Sequence, residues 1–227
     1  MGVAMRVVVF LVLMLWPLAA AAGPWPREAG RNFLSVSATG KTGSVWAEHG
    51  LSRGRWLVFE GRAGLDGSWA GALRFHKALA DRGGWKLAWA LGMALEMPQT
   101  DVVIDLPPVS WPGKTEVTVR IEPMVAVQAG VSLGRGLARG WVAVDMLAEV
   151  GSGGYRLKAE ATAGYRLRER WTVMMQGHVA IGMGHPGLAL APSVVWQARR
   201  GLKLQAGLHH DLRGRRSVAK LATWMEF

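Results

Sequence analysis

Along much of the chain, large apolar residues recur at every second position, with small or polar residues between them. From Trp85 one face reads Trp85, Leu87, Trp89, Leu91, Met93 and Leu95, and the other Lys86, Ala88, Ala90, Gly92, Ala94 and Glu96. From Tyr155 the alternation sets Tyr155, Leu157, Ala159, Ala161, Ala163 and Tyr165 against Arg156, Lys158, Glu160, Thr162, Gly164 and Arg166. A third run, from Val117 to Leu133, puts Val119, Ile121, Val125, Val127 and Val131 opposite Glu116, Arg120, Glu122, Gln128 and Ser132. A period of two marks a strand whose faces meet different surroundings, whereas a helix needs apolar positions three and four apart. The chain is therefore expected to be all-β.

Stretches rich in Gly or Arg at 52–55, 80–84, 134–140, 168–170 and 199–201 interrupt the alternation at hairpin spacing. They divide the chain into about 12 strands, centred near 36, 47, 60, 73, 91, 124, 145, 160, 177, 192, 206 and 221. Counts of 10 and 14 stay open, because 98–115, with Pro98, Pro107, Pro108 and Pro112, reads as one long outer loop. Pro123 and Pro192 fall inside alternating runs. Proline cannot donate to a ladder, so each marks a bulge or a point beyond the lipid where the strand projects outward.

Half the residues are apolar, yet after residue 22 no stretch reaches the ~20 apolar residues of a membrane helix. A chain that crosses a bilayer without helices must pair every backbone N–H and C=O between strands, which a closed barrel achieves. The expected fold is a transmembrane antiparallel up-and-down β-barrel over 33–227, with apolar residues outward and polar ones inward. Tryptophan numbers 12 and tyrosine 2. Four of the five turns lead directly into Trp56, Trp85, Trp141 and Trp171, which places an aromatic girdle at one membrane interface, since indole prefers the headgroup level. The formal charge of +11 calls for an anionic counterpart. For an exported protein that means lipid or lipopolysaccharide headgroups and no nucleic acid, with a solvated basic surface as the equal alternative.

Arg6, the apolar run from Val7 to Trp16, Pro17 and the small residues Ala19 to Ala22 follow the order of a secretory signal peptide, cut before Gly23. Residues 23–32 then form a periplasmic N-terminal segment. The chain holds no cysteine, so a lipoprotein anchor, disulfides, thiolate metal sites and cysteine nucleophiles are excluded. The last strand carries Ser217, Ala219, Leu221, Thr223, Met225 and Phe227 on its outward face. A terminal aromatic closing an alternating strand resembles the C-terminal signal by which bacterial outer-membrane proteins are recognised for barrel assembly. The stretch Glu48-His49-Gly50-Leu51-Ser52, before basic turn residues and Trp56-Leu57, is similar to the Glu-Tyr-Gly-Leu-Thr hairpin of uncharacterised barrels of that class, with His49 and Ser52 departing from it. The resemblance implies a Gram-negative outer-membrane location and the barrel-assembly machinery as a partner, engaged through Phe227.

The alternation assigns Arg62, Arg74, Lys86, Arg120, Glu122, Asp145, Glu149, Arg156, Lys158, Glu160, Gln176 and His178 to the lumen. An acidic strand with Asp145 and Glu149, flanked by strands carrying bases, predicts cross-strand ion pairs inside the barrel. They either plug the lumen or line a narrow aqueous path. Twelve strands fall between the filled interior of about 8 and the open channel of 16 to 18, and the inward Ala and Gly residues of the fifth strand leave space. The leading expectation is a narrow passive pore for small solutes, or a passive surface protein, with no catalysis, cofactor or metal.

A lipid-A or phospholipid hydrolase is the alternative, and needs His178 close to an inward serine such as Ser193. The asparagine that some such enzymes use has one candidate, Asn32, at the start of the first strand. Alternation sends His209 and Asp211 to one side and His210 to the other, which spoils a three-ligand metal site. No HExxH, P-loop or GxSxG pattern appears. A second alternative, a soluble periplasmic β-protein, would stay in solution without detergent.

Overall fold

The computed structural model describes residues 25–97, 123–182 and 186–227. Twelve strands follow one another around a closed sheet: β1 (Asn32–Thr39), β2 (Thr42–Ser52), β3 (Arg55–Gly64), β4 (Trp69–Arg82), β5 (Trp85–Met97), β6 (Met124–Leu137), β7 (Gly140–Gly151), β8 (Gly154–Arg168), β9 (Trp171–Gly182), β10 (Gly187–Arg199), β11 (Leu202–Asp211) and β12 (Arg216–Glu226). Each pairs antiparallel with its neighbours in sequence. β1 also pairs with β12, from Phe33–Glu226 to Thr39–Lys220, so the sheet has no free edge. Phe227 extends this closure: its N–H donates to the Asn32 carbonyl and its carbonyl accepts from the Asn32 N–H, at 3.1 and 2.7 Å.

The distribution of side chains is inverted relative to a soluble protein. Leu73, Met93, Val127 and Met146 on the outer face are more than half exposed, while Arg74, Gln128 and Glu149 on the inner face are buried. An apolar outer surface of this extent is unstable in water and stable against hydrocarbon.

The two ends of the barrel differ. At the end that carries the N-terminal segment and Phe227, all five connections (53–54, 83–84, 138–139, 169–170 and 200–201) are two residues long. We call this the turn end. Gly83 and Gly84 both adopt positive φ (59° and 80°), the backbone of a tight turn that matches the right-handed strand twist. The opposite, loop end combines two-residue turns at 40–41 and 152–153 with longer connections at 65–68, at 212–215 and between β5 and β6. In the 65–68 turn the Asp66 carboxylate accepts from the Ser68 hydroxyl and N–H at 2.6 and 3.0 Å, which hold its carboxyl below the usual carboxylate range.

Two details of the expected strand map change. The long run from Val117 is, within the described residues, a strand that starts at Met124, and Pro123 stands just before it, where a missing N–H costs no ladder bond. Pro192, by contrast, lies within β10 and faces outward. The register with β11 is the same on either side of it, Leu190–His210 and Ser193–Gly207. Residues 1–22, the 98–115 loop, Arg120 and Glu122 lie outside the described residues.

Candidate functional site

The inward positions of β3 to β8 carry a continuous chain of polar contacts. Arg62 Nη2 donates to Glu96 Oε1 at 2.6 Å, and Arg156 Nη1 to the other Glu96 oxygen at 3.0 Å. Arg156 also pairs with Glu149 at 3.5 Å. Glu149 Oε1 accepts from Lys158 Nζ at 2.6 Å and from Gln128 Nε2 at 2.7 Å. The Gln128 carbonyl accepts from Arg74 Nη1 at 3.2 Å, and Arg74 Nη2 donates to Glu60 at 2.7 Å. The pairs of Glu149 with Arg156 and Lys158 are the cross-strand pairs that the alternating charges imply; those of Glu96 with Arg62 and Arg156 join strands that are not neighbours, and together the contacts run over six adjacent strands as one network.

A second cluster spans β8, β9 and β12. Glu160 accepts from Gln176 Nε2 at 2.7 Å and Thr162 Oγ1 at 3.2 Å, and pairs with His178 Nδ1 at 3.2 Å. Lys220 Nζ donates to Gln176 at 2.8 Å. Asp145 lies directly across the β7–β8 ladder from Glu160, so two carboxylates face each other in the lumen wall.

Beside these clusters runs a cavity of about 720 Å³. It reaches from Phe33 and Trp224 near the turn end to Gly187 and Asp211 near the loop end. One side is walled by the charged networks, and the other by small residues such as Ser35, Ser37, Ala189 and Ala222. Among its lining residues, Arg62, Arg74, Lys158 and Lys220 stand against Glu48, Glu60, Asp145 and Glu160, so neither sign dominates.

No protein-family model and no curated protein matches the chain. Among solved structures, the barrel superposes on a KdgM porin in complex with disordered oligogalacturonate with a TM-score of 0.61, covering 87% of this chain and 99% of that chain at 10% identity. The NanC porin gives a TM-score of 0.52, covering 86% of this chain and 97% of that chain at 8% identity. The chain has the fold of outer-membrane porins. At such identities the likeness is one of fold, so the roles of residues in this porin-like barrel are read from its own lumen.

Of the residues assigned to the lumen from sequence, Arg62, Arg74, Asp145, Lys158, Glu160, Gln176 and His178 line the cavity. Glu149 and Arg156 sit behind them in the first network. Lys86 lies at the turn-end rim of β5 and pairs with Asp81. Glu60, Glu96, Gln128 and Lys220 join the networks although they were not singled out. Parity alone could have found Glu60, two residues from Arg62 on the same face.

The four-tryptophan girdle needs correction. Trp85 and Trp171, each the first residue of its strand, point outward at 43% and 45% exposure, but Trp56 and Trp141 are buried at 2% and 3%. Each of those two is the second residue of its strand, and one residue of offset reverses the face. Trp56 stacks on His76 with ring centroids 5.0 Å apart. Trp141 covers its ladder partner Gly164, where an added Cβ would meet the indole at 2.3 Å. Trp196 stacks on Trp171 from outside (6.2 Å) and supplies the outward indole that the turn pattern did not reveal.

His178 and Ser193 do not form a catalytic pair. Ser193 faces Met174 across the ladder and accepts from Gln205 Nε2 at 2.8 Å. Met174 is four residues along β9 from His178, a strand distance of about 13 Å.

Proposed function

We propose that the chain is an integral outer-membrane protein that acts as a narrow passive pore for small hydrophilic solutes. The observation that carries this reading is the polar-walled cavity of about 720 Å³ between the two ends of a barrel whose outside is apolar. A barrel that only filled its interior would meet side chain to side chain across the axis, as small barrels do. The porin fold shared with KdgM and NanC supports the same reading. A lipid hydrolase fits less well, because His178 is committed to Glu160 and separated from Ser193.

KdgM is described in complex with an acidic oligosaccharide. The lumen here suits a different class. Arg62, Arg74, Arg156 and Lys158 pair with Glu60, Glu96 and Glu149, and Glu48, Asp145 and Glu160 add further negative charge to the lumen, so little unbalanced positive charge remains to select an anion. Small neutral or zwitterionic solutes, held by a balanced set of donors and acceptors, are the expected cargo. Planar-bilayer recording of refolded protein tests both parts. The expected result is a small conductance with a reversal potential near zero in a salt gradient. Absence of conductance at every salt concentration would remove the pore, and a strongly anion-selective current would remove the balanced-lumen argument.

A further inference from the structure

Exposed arginines are densest at one end of the barrel. The five turns of the turn end and their flanks carry exposed Arg53, Arg82, Arg139, Arg168, Arg170 and Arg200. Arg31, Arg55 and Arg199, also exposed, sit beside them. Against these stand four exposed acids at the same end, Glu28, Asp81, Glu169 and Glu226. Among the described residues the loop end exposes fewer cations, Lys41, Arg213, Arg215 and Arg216, with the exposed acid Asp66 beside them.

The arginines are also placed for a membrane rather than for open solvent. Arg135 lies over the outward Trp85 ring at 5.4 Å, and Arg139 over the Tyr165 ring at 5.6 Å. Trp171 and Trp196 stack on the outer face at the same level of the barrel. Indoles at the end of an apolar band mark where acyl chains give way to headgroups. A guanidinium held over such a ring, on the headgroup side, sits at the height of a lipid phosphate and offers it two parallel donors.

We propose that the turn end is a collar that binds the phosphate groups of anionic phospholipids in the adjacent leaflet. This deepens the membrane-spanning reading and rests on it. Short turns face the periplasm in bacterial barrels, so the collar's leaflet is the phospholipid one, and the general expectation of lipid or lipopolysaccharide as counter-charge narrows to phospholipid. The chemistry recognised is a ring of phosphodiesters around the barrel, arranged by at least one arginine at each of the five turns.

Brominated lipids test this in the full chain, because Trp85, Trp171 and Trp196 face the acyl chains and are quenched by bromine there, whereas Trp56 and Trp141 are shielded inside. Refolded protein is placed in bilayers mixing phosphatidylcholine with phosphatidylglycerol, with either lipid brominated in turn. The expected result is a preference for phosphatidylglycerol on the order of fivefold, weakened by salt and abolished by replacing Arg82, Arg139, Arg168, Arg170 and Arg200 with Gln. A control with Arg213→Gln, Arg215→Gln and Arg216→Gln at the loop end should keep the preference. Equal quenching by both lipids overturns the collar while leaving the barrel intact. Equal loss in the loop-end control, or a preference transferred to a soluble polyanion such as polyglutamate, also overturns it. Absence of quenching by either lipid would overturn the membrane-spanning reading and the collar with it.

Discussion

Glu149 is the point on which the larger lumen network converges, and replacing it with glutamine isolates what its charge contributes. The side chain is 4% exposed and takes hydrogen bonds from Lys158 and Gln128 while pairing with Arg156. Glutamine keeps the shape and one acceptor, but its amide group turns a donor toward groups that are themselves donors. A hydrogen bond to a charged group is worth about 1.5–3 kcal/mol net. Gln128 and Glu149 are both buried, so the bond between them is expected near that range. Lys158 is 35% exposed and regains water, which reduces its share to about 1 kcal/mol or less. Glu149→Gln should therefore cost about 2–4 kcal/mol, measured by equilibrium urea unfolding of protein refolded into lipid vesicles. In a double-mutant cycle with Lys158→Met, the coupling should be about 1 kcal/mol. The same substitution leaves Arg156 and Lys158 short of one negative charge, so the reversal potential of the pore should move toward anion selectivity. A stability loss below about 0.5 kcal/mol, the range of an ordinary surface change, would refute the claim that this network holds the wall together.

Gly164→Ala places a Cβ against the Trp141 ring, whose atoms lie 2.3 to 2.4 Å away; the indole must leave its seat, at a cost of about 1–3 kcal/mol in the same unfolding assay. Asp145→Asn removes one of two carboxylates that face each other across the β7–β8 ladder and should stabilise the barrel by up to about 1 kcal/mol, an outcome that a drop in unfolding midpoint would contradict. Phe227→Ala keeps the backbone bonds to Asn32, so refolding into micelles should be nearly unchanged while assembly in cells, followed by heat-modifiable mobility, falls; equal loss in both would assign Phe227 to stability rather than recognition. In Gly50→Ala the new Cβ would sit 1.9 Å from the Glu28 carbonyl oxygen. The segment before β1 should lift from the rim, break the Arg27–Glu48 ion pair and become open to trypsin at Arg27.

The fold was legible because alternation is a local property that survives without any knowledge of partners. Each residue of β5 and β8 declares its face through its neighbours two positions away, and hairpin turns with Gly83 and Gly84 declare where the chain reverses. Antiparallel neighbours in sequence then become neighbours in space, so the order of the sheet needs no further information. The edges of the pattern were harder. A proline at 123 could end a strand or bend it, and the choice depends on whether its missing N–H meets a partner, which only the assembled ladder decides. The tryptophan girdle failed for a related reason. Position after a turn does not fix the face, which depends on whether the strand's first paired residue precedes the tryptophan, as Arg55 and Gly140 do. The information was in the sequence: Trp56 shares parity with Arg62, and Trp141 with Asp145 and Glu149, all assigned inward.

The lumen was legible residue by residue but not as a shape. Alternation reports which side chains point inward, and it cannot say which of them meet, because that depends on ladder register and on the shift of level from strand to strand around a tilted barrel. Arg156 and Glu96 are far apart in sequence and on strands that are not adjacent, yet they touch at 3.0 Å; no count of charges per strand implies that bond. The consequence is functional. If the same charges were spread evenly around the wall, they would constrict the lumen from all sides. Gathered on β3 to β8, they pack against one another and leave the wall of Ser35, Ser37, Ala189 and Ala222 to face open space. The same cross-strand pairing that holds the arginines also draws them aside, so one set of contacts both ties the wall together and leaves the cavity open beside it.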